Sequence, residues 1–206
     1  MGGMREGSGP EWVIREDAGE PVLLALFLRH AIGVRSPEEL PHVRGVAPSA
    51  VPARSDEAQA QLERQWRAYW AMTVEPQAHP SPEPLELVDG FDTLVALPSS
   101  AAALRAAITP HATPALAFTR RAHERYRAES TAKPGVSYRA YASAIAEHER
   151  QVGRRAHSFE LNVQVLPLSQ RGVWWIGSLT VAVTDGLRGA VAAFDAAIHP
   201  IIAELA

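Results

Sequence analysis

The hydrophobic period of this chain changes at residue 158. Upstream, apolar residues recur mostly at three- and four-residue spacing, whereas in SFELNVQV, residues 158–165, Phe159, Leu161, Val163 and Val165 alternate with Glu160, Asn162 and Gln164. A period of two sends successive side chains to opposite faces of a strand, while a period near 3.6 gathers them on one face of a helix. No single backbone satisfies both, so the chain must join a helical part to a β part. The next apolar stretch, VWWIGSLTVAV at 173–183, follows the loop LPLSQRG and predicts a strand returning beside the first. DTLVALP, 92–98, predicts a third, short and buried strand. The expected fold class is α+β: a small antiparallel sheet of about three strands (92–97, 158–166, 173–183) packed by several helices, with an N-terminal helical layer or arm.

Pairing 165 with 173 assigns faces to that sheet. Trp175 then lies opposite Val163, Gly177 opposite Leu161 and Leu179 opposite Phe159, an apolar face that helices must cover. The other face carries Trp174 by Gln164, Ile176 by Asn162 and Ser178 by Glu160. An aromatic and an aliphatic set among hydrogen-bonding groups is the composition of a ligand floor or subunit interface; a second helical layer would also explain it.

The helices have readable ends. Residues 1–19 are expected to be a flexible lead-in, opening on MGGMREGSGP. Pro21 suits a first helical position and Gly33 a stop, and the apolar run between them predicts a buried helix. SDEAQAQLERQWRAYWAMT offers Ser55 as a cap, acids in its first turn, and a stripe of Ala58, Leu62, Trp66, Tyr69, Trp70 and Thr73. Ser99 or Ser100 is placed to cap a helix, Thr113 and Pro114 to begin another that KPG at 133–135 breaks, and Ser137 to begin a third ending near Gly153. Asp185 is placed to cap a final helix containing Pro200. Residues 20–206 thus form a single domain, with 20–74 as a helical arm or layer, 75–84 as a proline-rich connector and 85–206 as the α+β core.

Composition excludes several function classes. The net charge is −3, with 47% hydrophobic and 21% charged residues, which fits a folded protein and not a disordered or strongly basic one. The absence of cysteine removes disulfides, thiol catalysis and cysteine-ligated metals. VLLALFL, 22–28, is too short to span a bilayer, and acids precede it where a signal peptide is basic. A soluble, cytoplasmic protein is expected, with no membrane partner.

His-Glu-Arg occurs twice, at His123-Glu124-Arg125 and His148-Glu149-Arg150. A metalloprotease pair needs histidines one helical turn apart, but positions 127 and 152 are arginine and valine, so no metal site is expected. Arg120, Arg121, Glu124, Arg125 and Arg127 share a polar helix face that is either solvated or an anion or partner contact. His148 falls on the apolar stripe of Tyr138, Tyr141, Ile145 and Val152, where a histidine is usually partly buried. Residues 120–155 hold nine Lys or Arg against four acids, yet no nucleic-acid motif accompanies them, which argues against that partner. Asp89 and Asp92 read as a turn. No phosphate loop, dinucleotide turn or nucleophile elbow is present, and no cofactor is implied.

Two functions are therefore expected as alternatives. One is a noncatalytic interaction or scaffold module, in a homo-oligomer or with a protein partner, associating through Trp174 and its sheet face or through the helix bearing Trp66, Tyr69 and Trp70. The other is a small-molecule enzyme or binder on the floor of Trp174, Ile176, Ser178, Asn162, Gln164 and Glu160, with His148 and Glu160 as acid/base candidates.

Overall fold

The structure is a computed structural model that describes residues 11–46, 53–132, 136–188 and 190–206. The lead-in at 1–10, part of the 34–54 connector and the KPG break lie outside the described residues.

The main sheet has four strands in the order β1-β4-β6-β5: β1 (Trp12–Asp17), β4 (Phe159–Leu166), β6 (Thr180–Thr184) and β5 (Val173–Trp175). β1 and β6 both run parallel to β4, and only β5 is antiparallel to its neighbour β6. The expected strand at 158–166 is present as β4, while the three-strand antiparallel arrangement is corrected in strand number, pairing and membership. Residues 12–17 are an edge strand instead of lead-in. The stretch 92–97 is outside this sheet: β2 (Leu85–Leu87) and β3 (Ala96–Pro98) form a separate antiparallel pair. The stretch 173–183 is a hairpin of its own, with Trp174 opposite Ala182 and Val173 opposite Val183, so β4 meets β6 and never β5.

The turn explains the difference. Ile176 N–H and Gly177 N–H both donate to the Thr180 carbonyl, at 2.9 and 3.1 Å, reversing the chain at Gly177-Ser178, a Gly-Ser turn pair inside the stretch expected to be one continuous strand. β6 is buried at all five positions, as befits an interior strand covered on both faces, and its sequence TVAVT accordingly does not alternate. β4 does alternate, in burial as in sequence.

The face parity of the expectation survives the change of partner. Phe159, Leu161, Val163, Val165, Val181 and Val183 share one core with Tyr141, Ala144 and Ile145 of α5 (Val136–Val152) and with Phe194, Ile198 and Ile202 of α7 (Val191–Leu205). Leu166, Ala182 and Trp174 of the other face pack with α1 (Glu20–Ala31), α2 (Asp56–Val74), α3 (Ala102–Ile108) and α4 (Ala112–Ala132). The result is a mixed α/β architecture with helices on both sides of the sheet.

Helix ends follow local chemistry. α1 carries Pro at its start and Gly33 at φ 74° just past its end. Ser55 Oγ accepts the Ala58 N–H at the start of α2, and Leu62, Trp66, Tyr69 and Trp70 turn inward. No serine side chain caps α3; a 3₁₀ turn at Ser99–Ala101 leads into it. Asp185 opens a one-turn helix, α6 (Asp185–Arg188), and α7 starts separately at Val191. Arg29 is buried at 3% exposure and spends its guanidinium on the carbonyls of Arg35, Pro37 and Leu40, fixing the chain after α1. Among the described residues no helix is long and apolar enough to cross a membrane.

Candidate functional site

The residues expected to form a sheet-face site are not free to act together. Glu160 is exposed and pairs with Arg15 at 2.7 Å. Gln164 Oε1 accepts the Gly19 N–H at 2.8 Å, where β1 turns into α1. Ile176 is buried, and Ser178 donates to the Glu75 carboxylate. Trp174 is half-buried against the α1–α4 core, and β6 separates it from Gln164 and Asn162. His148 is buried on α5, against the face of odd-numbered β4 residues, whereas Glu160 belongs to the even face. The sheet stands between them, which removes their acid/base pairing. Trp66, Tyr69 and Trp70 lie in the core, with Trp66 stacked on Trp70 at 5.4 Å between ring centroids.

The two His-Glu-Arg segments also part company. His123 Nδ1 donates to the Ala18 carbonyl at 2.9 Å and so helps hold α4 against the end of β1. His148 Nε2 is buried with no hydrogen-bond partner among the described residues. Asp92 sits at φ 53° in its turn and pairs with Arg120.

A polar knot joins β1 to α4, α5 and α6. Glu16 accepts from Arg188 Nε at 2.7 Å and from the Tyr141 hydroxyl at 2.9 Å, while its carbonyl accepts the Tyr126 hydroxyl at 3.1 Å. Arg188 also lies over the Tyr126 ring and donates to Ser130 Oγ. Burial, then the neighbouring Glu16 charge and its hydrogen bond, push the Tyr141 hydroxyl far above the usual tyrosine range. Each charge in the knot has its partner, so the arrangement fastens elements together.

A different region has the geometry of a binding site. α4 sends Ala115, Leu116, Phe118 and Ala122 into the core, with Phe118 against Phe27 of α1 at 5.3 Å. Arg121 and Arg125, one turn apart, fall on the flank of that stripe. Facing them is the turn 43–46, which backbone bonds pin to the loop after β4: Arg44 N–H donates to the Pro167 carbonyl at 2.7 Å, and Val43 bridges Leu168. Gly45, at φ 81°, supplies the left-handed step the turn needs.

Between these walls lies a cavity of about 220 Å³ lined by Arg44, Gly45, Phe118, Arg121, Ala122 and Arg125. A second cavity, about 400 Å³, shares Gly45, Phe118 and Arg121 with it and adds Phe27, Val46, His111, Pro114 and Ala117. Together they make one groove along α4, cationic at one end and mainly apolar at the other. Asp185 Oδ2 holds Arg44 at 2.8 Å and Arg125 at 3.7 Å from a position only 13% exposed. Arg121 makes no ion pair among the described residues.

The sequence carried one signal for this site, the basic excess of α4. It could not show that Arg44 and Asp185, 141 positions apart, complete it. No protein-family model, curated protein or solved structure matches the chain.

Proposed function

We propose that this chain is a noncatalytic binding module that holds a small organic anion in the α4 groove. One observation carries the reading: Arg44, Arg121 and Arg125 line a single cavity, and one carboxylate, Asp185, serves two of them. Three cations thus share one protein carboxylate, with solvent reaching Arg44 and Arg125, and a guanidinium fork matches carboxylate or phosphate oxygens in pairs. Asp185 orients Arg44 and Arg125 from beneath and leaves Arg121 uncommitted. Backbone bonds at Val43 and Arg44 hold one wall of the groove against the loop after β4. Neither His148 nor Glu160 reaches this groove, and a binding role is favoured over catalysis for that reason.

Isothermal titration of the full chain with butanoate and with octanoate tests the reading. Saturable binding is expected, weakened about tenfold or more by Arg121→Gln and by rising salt, as for a charge-assisted contact. Titration with neither acid producing saturable heat, or binding indifferent to Arg121→Gln, overturns it.

A further inference from the structure

We infer that the ligand is an amphiphile, an oxyanion carrying an alkyl or aryl tail, and that the tail lies along α4 toward Pro114. This inference rests on the anion reading and adds the identity of what the anion is attached to.

The larger cavity carries it. Its wall is Phe27, Val46, Pro114, Ala117 and Phe118, continuous with the arginines through Phe118 and Arg121. A compact inorganic anion would occupy the cationic end and leave Val46, Pro114 and Ala117, the part of this wall that is not already buried, in contact with water. A molecule with both parts removes that apolar area from water while its head remains at the guanidinium groups, and each tail carbon then adds to affinity. The helix sets the length. Pro114 and Arg121 are seven residues apart on α4, ~10 Å at the rise of an α-helix, which fits an alkyl chain of roughly eight carbons. Ala117, half-buried midway between them, is the small residue that keeps the channel open.

The charge pattern also fixes the ligand's direction. Arg44, Arg121 and Arg125 gather at one end, and the far end offers His111 and Pro114 without a carboxylate in the wall. A cationic amphiphile would meet repulsion at the head site, and a neutral one would leave Arg121 without a partner.

The test is a titration series on the full chain with butanoate, hexanoate, octanoate, decanoate and dodecanoate, with octyl phosphate as a second head group. Affinity is expected to rise about threefold per buried methylene and to level off near octanoate or decanoate. Ala117→Phe, which places a ring in the channel, is expected to move the plateau to shorter chains. Ala117→Leu gives a milder version of the same shift if the larger ring disturbs folding.

A flat affinity from butanoate to dodecanoate that still collapses in Arg121→Gln overturns the amphiphile and leaves the anion site standing. Absence of binding by every acid removes both. Sedimentation with phosphatidylglycerol vesicles, combined with no heat from the dissolved acids, also overturns the inference, because the arginines would then be meeting a charged surface and the channel would be empty of tail.

Discussion

The carboxylate of Glu75, at the end of α2, accepts the backbone N–H of Leu179 at 2.8 Å in the turn between β5 and β6. Ser178 Oγ donates to the same carboxylate at 2.9 Å, so a residue about a hundred positions upstream closes the hairpin. Burial opposes the charge on Glu75, but the hydrogen bonds from Leu179 and Ser178 outweigh it and hold the carboxyl below its ordinary value of 4.5.

A depressed carboxylate in the folded state binds its proton less readily than in the unfolded chain. Its contribution is therefore fully present above about pH 4.5 and is lost as pH falls through the lower folded value. Urea unfolding of wild type and Glu75→Gln between pH 7 and pH 3 checks this. The variant is expected to be less stable by about 1 kcal/mol at neutral pH, a modest figure because the site is partly solvated, with the gap closing in acid. A gap constant down to pH 3 refutes the assignment.

Gly177 is the other half of the same device. A Cβ built there would lie 2.6 Å from Glu75 Oε1 and 3.0 Å from Val74 Cγ1, so a side chain must push the carboxylate off the turn. Gly177→Ala thus displaces the carboxylate whose hydrogen bonds Glu75→Ala removes. In a double-mutant cycle the combined loss is expected to fall short of the sum of the single losses by about 1 kcal/mol. Additive losses would show that the two residues act separately.

This turn also shows where the sequence stopped being informative. Ser55 capping α2 and the alternation of β4 are local, fixed by neighbours within a few residues, and both were legible. The hairpin turn depends on Glu75, and β1 depends on pairing Trp12 with Phe159; neither relation leaves a nearby pattern. WVIRED reads as lead-in because an edge strand needs no full apolar face, and its burial is correspondingly uneven. The faces hold for β4, Trp174 and Trp175 because parity survives a change of partner, whereas register does not; Gly177 and Leu179, expected on the apolar face, lie in the turn instead, with Leu179 exposed. The basic surface of α4 was visible, but its meeting with Arg44 and Asp185 exists only in the fold.

Tyr141 makes the opposite pH prediction to Glu75. Its hydroxyl donates to Glu16 at 2.9 Å, and burial beside that carboxylate raises its proton affinity above the ordinary value of 10.0. A group whose folded value is raised stabilises the fold below the unfolded value and loses that contribution as pH climbs past it. Wild type is therefore expected to weaken above about pH 10 more steeply than Tyr141→Phe. At pH 7 the variant, lacking a bond to a charged acceptor, should be less stable by about 2 kcal/mol. Thermal unfolding at pH 7 and pH 10.5 separates the two effects, and parallel alkaline limbs would contradict the assignment.

His148 tests the remaining acid/base candidate. It is 7% exposed, and its Nε2 has no hydrogen-bond partner among the described residues, so the fold bears the desolvation of a polar atom with no bond in return. Its neighbours on the inward stripe of α5, Tyr141, Ala144 and Ile145, belong to the apolar core shared with α7. A leucine of similar reach removes the orphan nitrogen and keeps most of the packing. His148→Leu is accordingly expected to match wild type or exceed it by about 1 kcal/mol in urea unfolding, with octanoate binding unchanged. A loss of 2 kcal/mol or more would mean that the imidazole has a partner in the folded protein. A change in octanoate affinity would tie α5 to the groove from the far side of the sheet and reopen a functional role for this histidine.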